Sequence, residues 1–210
     1  MTASRAIKRM LDLALSLVAI IILSPLMVAI WLRIRFQRNG PAIYRGVRVG
    51  LNGRLFAILK YRTMVTNADR LGGPSTADDD PRLTPLGKSL RHYKLDELPQ
   101  LINVFTGDMS FVGPRPQVPS EVADYTAEER QILSVRPGIT DWASLHFHNE
   151  GEILRGHANP DQAYAELIRP EKMRLGLEYV RRATLADDLR ILFDTARLPF
   201  LRSHRSSHEG

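Results

Sequence analysis

A run of twenty residues, Leu13 to Leu32, carries no formal charge and is relieved in polarity only by Ser16 and Ser24, and it sets the tightest limit on the fold. At 1.5 Å per residue a helix of that length measures roughly 30 Å, enough to cross the hydrocarbon core of a bilayer. Pro25 lies inside the run, where it removes a backbone hydrogen bond and collides with the preceding turn. Ser24 just before it can bond back to the helix backbone and favour a bend. Both flanks are basic, with Arg5, Lys8 and Arg9 before the run and Arg33, Arg35 and Arg38 after it. A spanning helix carries its positive excess on one side, and here neither side wins. A helix broken at Pro25 has halves of about twelve residues, too short to cross. A re-entrant hairpin that enters and leaves on one face accounts for the proline and both basic flanks together. A single span stays open on periodicity alone. A cleaved signal peptide is disfavoured, because basic residues follow the run and no small-residue cleavage pattern does.

The rest of the chain reads as a folded domain, with 44% apolar and 25% charged residues overall. Ile43 to Arg48 and Leu55 to Arg62 flank Asn52-Gly53, a dipeptide suited to the positive backbone angles of a hairpin turn. Asp69 to Pro85 is polar and rich in Gly, Pro and Asp, which predicts a long surface loop with a function beyond connection. Helices are expected over Leu86 to Arg91, Leu98 to Phe105, Pro160 to Ile168, Pro170 to Arg182 and Leu185 to Leu198. Another should start at Thr126-Ala-Glu-Glu129, which matches a capping box, and run to about Ser134. In the last helix Leu185, Leu189, Leu192, Phe193 and Ala196 form one stripe, which serves equally to close the core or to lie on a membrane surface beside Arg190, Arg197 and Arg202. The expected class is α+β and mostly helical: a re-entrant membrane helix-break-helix over 1–38, a small helical domain with a short β-hairpin and interfacial helices over 39–202, and a flexible tail over 203–210.

The net charge of +6 calls for an anionic partner: nucleic acid, anionic lipid or a phosphorylated small substrate. No Walker loop, dinucleotide glycine pattern, zinc spacing or nucleic-acid motif is present. The absence of cysteine excludes disulfides, thiolate metal sites and cysteine nucleophiles. Adjacent Asp96 and Glu97 stand just before Pro99. Proline suits the first turn of a helix, so Asp96 is placed to cap the helix that follows. The amides and dipole there favour an anion, and a carboxylate can attack phosphorus to give an acyl phosphate. On its own this is also an ordinary solvated helix start. Lys60, Arg62, Arg115 in Val112-Gly-Pro-Arg-Pro116 and Arg136 in Arg136-Pro-Gly-Ile-Thr140 supply cations, the two arginines in stiff Pro and Gly surroundings suited to phosphate oxygens. A diphosphate substrate beside two carboxylates would usually bring magnesium. His146 and His148 alternate as if on one strand face, too few for a metal site.

Taken in order, these stretches resemble the bacterial sugar transferases, the monotopic phosphoglycosyl transferases. The similarity covers roughly Lys8 to Leu198. It rests on Ser24-Pro25, Arg48-Val-Gly50, Lys60-Tyr-Arg-Thr-Met64, Asp80-Pro-Arg-Leu-Thr84, Leu95-Asp-Glu-Leu-Pro-Gln-Leu101, Val112-Gly-Pro-Arg-Pro116 and Arg136-Pro-Gly-Ile-Thr140. The resemblance implies a re-entrant helix bent at Ser24-Pro25 and a catalytic domain on the cytoplasmic face of the bacterial inner membrane. It implies that Asp96 attacks the β-phosphate of a UDP-sugar, releases UMP and holds the phosphosugar until polyprenyl (undecaprenyl) phosphate carries it away. Glu97 would assist with Mg2+ held at Asp96 and Glu97, Arg115 and Arg136 would contact phosphates or fix the loops that do, and Lys60 and Arg62 would line the site. The implied partners are UDP-sugar, polyprenyl phosphate and membrane lipid, with no nucleic acid and with a homo-oligomer left open. One stretch departs from many relatives: Asp141-Trp-Ala-Ser144 and His146-Phe-His-Asn-Glu150 stand in a region expected to shape the sugar pocket. A non-enzymatic membrane-tethered scaffold is the competing reading.

Overall fold

The computed structural model describes residues 3–37, 40–73 and 75–205. Its first element is a long helix, α1 (Ala3–Arg35). A hairpin follows, β1 (Ile43–Val49) and β2 (Leu55–Tyr61), then helices α2 (Pro85–His92) and α3 (Gln100–Thr106). Strand β3 (Ser110–Val112), helix α4 (Pro119–Ala123) and strand β4 (Gly138–Thr140) come next. The chain ends in helices α5 (Trp142–His146), α6 (Glu150–Ile153), α7 (Pro160–Leu167), α8 (Arg169–Arg182) and α9 (Leu185–Arg205). The α+β, mostly helical class with one short hairpin is therefore as expected. The last helix reaches Arg205, into the segment expected to be a tail, and 206–210 lie outside the described residues, as does Arg38 at the expected end of the anchor.

Helical structure runs through Pro25 without interruption, so the anchor is one element rather than a helix-break-helix. The reason is local. Proline deprives the Ile21 carbonyl of its usual amide partner, and the Ser24 hydroxyl donates to that same carbonyl at 2.8 Å. Most of the apolar side chains of α1 are exposed, Ile21, Ile22 and Val28 among them. One face is not. The Asp12 carboxylate accepts from the Ser110 hydroxyl and the Phe111 amide, both at 3.1 Å, and Arg9 donates to the carbonyls of Val104 and Phe105 at 2.6 and 2.9 Å. Lys8 pairs with Asp188 at 2.5 Å. Toward the other end, Ile30 and Ile34 bury against Ala42, Tyr61 and Leu90, and the Tyr61 hydroxyl donates to the Met27 carbonyl at 2.7 Å.

The hairpin pairs Ile43 with Tyr61 through Val49 with Leu55 in antiparallel register. Its turn contains Asn52 and Gly53 at φ 55° and 80°, the left-handed angles that this dipeptide tolerates. The outer edge of β2 would expose unpaired amides and carbonyls. Asn103 of α3 covers it, accepting from the Leu59 amide and donating to the Ala57 carbonyl, both at 2.9 Å. That pair of bonds docks α3 on β2 and so brings the turn before α3 over Lys60.

The long polar loop is folded around one side chain. The Arg82 guanidinium holds Asp80 in a bidentate pair and donates to the carbonyls of Gly73 at 2.9 Å and Ser75 at 3.2 Å. Thr84 then caps α2 by accepting from the Gly87 amide, worth about 1 kcal/mol. Gly87 itself lies so close to Thr63 that a Cβ there would fall 1.9 Å from the Thr63 carbonyl oxygen. The capping box also forms, with Thr126 and Glu129 exchanging bonds at 2.8 and 3.2 Å, although the helix it starts is a 3-10 segment, Glu129–Ser134.

In α9 the expected stripe is split. Ile191 is buried and Leu192 packs inward, while Leu189 and Phe193 remain about 60% exposed. His146 ends a short helix instead of sharing a strand face with His148.

Candidate active site

The two carboxylates sit in a 3-10 turn, Leu95–Glu97, entered through Lys94 in the left-handed region (φ 57°). This turn begins before the helix does, and α3 is capped by Pro99 with no side-chain bond. Asp96 therefore does not cap α3, contrary to the expectation from its spacing to the proline. Its Oδ1 is instead enclosed by protein without a hydrogen-bond partner among the described residues, in a residue only 5% exposed.

Glu97 has the opposite surroundings. Lys60 Nζ donates to its Oε1 at 2.8 Å, Arg115 Nη1 to its Oε2 at 3.3 Å, and Arg115 Nη2 also to Oε1. These partners arrive from different parts of the chain. Lys60 comes from β2, held under the turn by Asn103. Arg115 leaves the end of β3, whose parallel partner is β4. The two short strands approach so closely that a Cβ on Gly138 would fall 2.1 Å from the Gly113 amide nitrogen, so glycine is required at this crossing.

Electrostatics separate the neighbouring acids. Burial pushes the Asp96 carboxyl up, and the charge of Glu97 adds to this against the opposing pull of Lys60, Arg91 and Lys94. Burial acts on Glu97 in the same direction, but Arg115 and Lys60 outweigh it and hold Glu97 well below the usual carboxylate range. Burial lowers Lys60, with Glu97 opposing, and the Glu97 charge raises Arg115. One carboxylate is thus a fixed, neutralised anchor and the other a poorly stabilised one. Such a division of paired carboxylates is how sites give two acids two roles.

The other expected residues lie elsewhere. Arg62 follows β2, and its guanidinium rests against Gly40 at the entrance to the hairpin. Arg136 donates to the Gly107 carbonyl at 2.9 Å, near Arg9 at the C-terminal end of α3. It fixes a loop and is not among the partners of Glu97. Ser24 and Pro25 belong to α1. Sequence reasoning passed over Gln100, fully buried, with both its amide atoms unpartnered, four residues beyond Asp96. It also passed over Lys94, whose charge bears on both acids.

For magnesium, the observation that bears on fit is the enclosed and unpartnered Asp96 oxygen. Glu97 has both oxygens engaged by cations, and among the described residues no group of three or more acidic or histidine side chains is arranged as a cage. Magnesium commonly takes one or two carboxylates and completes its shell with substrate phosphates and water. Asp96 fits that partial role.

The family model for bacterial sugar transferases matches residues 3–202. The undecaprenyl-phosphate galactose phosphotransferase of Salmonella typhimurium is 34% identical over 95% of this chain and 42% of its own length. The undecaprenyl-phosphate glucose phosphotransferase of Komagataeibacter xylinus is 35% identical over 90% of this chain and 35% of its own. The exopolysaccharide production protein ExoY of Sinorhizobium fredii is 34% identical over 90% of this chain and 83% of its own. The chain thus spans under half the length of the first two. With the match running from α1 through α9, the chain belongs to the bacterial sugar transferase family.

Proposed function

We propose that this chain transfers a sugar-1-phosphate from a UDP-sugar to undecaprenyl phosphate through a covalent intermediate on Asp96. The observation that carries this reading is the pair of adjacent acids in opposite states, Glu97 neutralised by Lys60 and Arg115 and Asp96 buried with an oxygen that nothing among the described residues satisfies. A desolvated carboxylate is a stronger nucleophile than a hydrated one. An Asp96 oxygen attacks the phosphorus that bears the sugar, the bond from that phosphorus to the bridging oxygen breaks, and UMP leaves with the electron pair. An oxygen of the lipid phosphate then attacks the same phosphorus, the bond to Asp96 breaks, and the lipid diphosphate sugar departs. Glu97 keeps Lys60 and Arg115 in place, and Arg115, with about a third of its side chain exposed (32%), presents its remaining donors to the diphosphate. Magnesium, held by Asp96 and the substrate phosphates, would neutralise charge that develops on the leaving UMP.

The same reading places the domain on the cytoplasmic face of the inner membrane, with α1 inserted from one side. Support comes from the docking of both its ends on one domain. Lys8 and Ile34 stand roughly 39 Å apart along a straight helix, yet each touches this domain. A bilayer core of about 30 Å cannot separate two points that bind the same water-soluble unit. The chain has no cysteine, so Ser4→Cys and Gln37→Cys are clean reporters. Both are expected to label with an impermeant thiol reagent from the same face of oriented vesicles. Labelling from opposite faces would establish a span.

The reaction is tested by UMP release from a panel of UDP-sugars with undecaprenyl phosphate and Mg2+. Release with at least one donor is expected, and release that stops when Mg2+ is chelated. A folded protein that releases UMP from none of them would favour a scaffold.

A further inference from the structure

Helix α1 is apolar along most of its length, yet near its start it carries Lys8, Arg9, Asp12 and Ser16, at the spacing of three and four residues that aligns side chains on one helix face. Asp12 and Ser16 are buried. Polar groups on an apolar membrane helix are costly unless they find partners, and a carboxyl kept there marks a function. The partners converge on two elements. Asp12 Oδ1 accepts from the Ser110 hydroxyl and the Phe111 amide, at the start of β3. Lys8 donates to Asp188 and, at 3.3 Å, to the Tyr179 hydroxyl. That hydroxyl donates to Asp188 at 2.6 Å and stands 3.2 Å from the carbonyl of Val112, the last residue of β3. The strand is thus gripped at one end by α1 directly and at the other through Tyr179. Arg9 meanwhile holds the carbonyls of Val104 and Phe105, near the end of α3.

These two elements carry the two sides of the acid site. Arg115 leaves β3 shortly after Val112 and meets Glu97, and α3 begins shortly after Glu97, at Gln100. The stretch between β3 and Arg115 is pinned to β4: the Gly113 amide donates to the Thr140 carbonyl at 3.0 Å, and the Gly138 amide to the Pro114 carbonyl at 3.1 Å. Prolines at 114 and 116 bracket Arg115 and limit its backbone further. A shift of β3 has little slack in which to be absorbed, so it passes to the Arg115 guanidinium.

We infer that Asp12 is a positioning residue for the transfer: its carboxyl holds β3 on the membrane helix and so fixes Arg115 at Glu97, beside Asp96. This rests on the reaction proposed above, in which Arg115 receives the diphosphate, and extends it. Asp12 acts through the aim of the Arg115 fork and not on the substrate. The membrane helix becomes part of the frame of the site as well as its anchor.

The test is UMP release by the full chain in lipid vesicles for wild type, Asp12→Leu, Asp12→Asn and Ser110→Ala, each also combined with Arg115→Lys, which keeps a charge and a residual rate. Thermal unfolding checks the fold, and thiol labelling at Ser4→Cys and Gln37→Cys checks that α1 stays inserted. Asp12→Leu is expected to lower kcat/KM for the donor about 100-fold, the scale of a displacement of about 1 Å at a positioned group. Asp12→Asn keeps the accepting oxygen and should stay within about 5-fold of wild type. Lysine at 115 has no fork to aim, so in that background Asp12→Leu is expected to cost about 5-fold or less. A merely structural Asp12 would lower the folded fraction and give the same factor in both backgrounds, which would overturn the assignment. If Asp12→Leu does not fold, Ser110→Ala decides, because it removes one donor to the same oxygen. A fall of about 5-fold that disappears beside Arg115→Lys supports the assignment, and wild-type kinetics overturn it. An active wild type with an equally active Asp12→Leu overturns this assignment alone. A folded wild type that releases UMP from no donor overturns the reaction, and the assignment with it.

Discussion

Asp96→Asn is expected to reduce UMP release by about 10,000-fold or more, the scale seen when a covalent nucleophile is removed, while leaving the protein as stable as before or more so. The two halves of this expectation have one cause. Burial and the Glu97 charge raise the Asp96 carboxyl above its ordinary value, so its ionised form is disfavoured in the folded state. A group with a raised acid pKa adds nothing to stability below its unfolded value and subtracts from it once the pH passes that value. Asn carries no charge to desolvate. The variant should therefore match wild type in acid and gain at neutral pH, by about 1 kcal/mol or less given the partial compensation from Lys60, Arg91 and Lys94. Stability lost in favour of chemistry is the usual exchange at such sites. Wild-type kcat/KM should fall in acid with a limb above about 3.9, the ordinary Asp value. Rapid quench and intact mass should find one phosphosugar added to wild type and none to Asp96→Asn. Retained turnover in the variant would remove Asp96 from the mechanism.

Arg82→Met should lower stability by about 3–5 kcal/mol, the range for breaking a buried ion pair by deleting one partner. Arg82 and Asp80 have side chains only 9% and 8% exposed, so solvent screens little of the interaction. The deletion strands a buried carboxylate and frees the carbonyls of Gly73 and Ser75 that the guanidinium gathers. For a domain of this size the loss corresponds to a fall of about 10 °C in Tm. Its pH dependence follows from Asp80, which the Arg82 hydrogen bonds hold below its ordinary value. That contribution is present above the unfolded value of about 3.9 and disappears as the pH falls through the folded one. The deficit of the variant should therefore be full at neutral pH and shrink below pH about 4. Limited proteolysis should find new cleavage between 67 and 80, because Ser75, which anchors to Asp161 at 2.9 Å, lies on the freed loop. A Tm within about 2 °C of wild type at pH 7 would mean that the pair contributes little.

Local chemistry makes much of this protein legible in its sequence. The apolar run, the Asn-Gly turn, the capping box and the amphipathic helices each depend on residues close along the chain, and each forms where the pattern puts it. The adjacency of Asp96 and Glu97 is likewise a covalent fact. What those acids do is not. Lys60, 37 residues before Glu97, and Arg115, 18 residues after it, converge on it only because Asn103 docks α3 on β2 and two glycines let β3 and β4 meet. Nothing within a few residues distinguishes Arg115 from Arg136, since both lie in Pro and Gly surroundings; the direction of the chain around the β3–β4 crossing sends one to Glu97 and the other to Gly107. The same holds for Asp96 itself. Its spacing to Pro99 predicts an exposed cap, and the left-handed Lys94 turns it inward and leaves its oxygen unsatisfied. Covalent order and side-chain periodicity thus set the elements of this protein, whereas burial and long-range charge, which exist only once the chain is folded, select which of its acids and bases form a site.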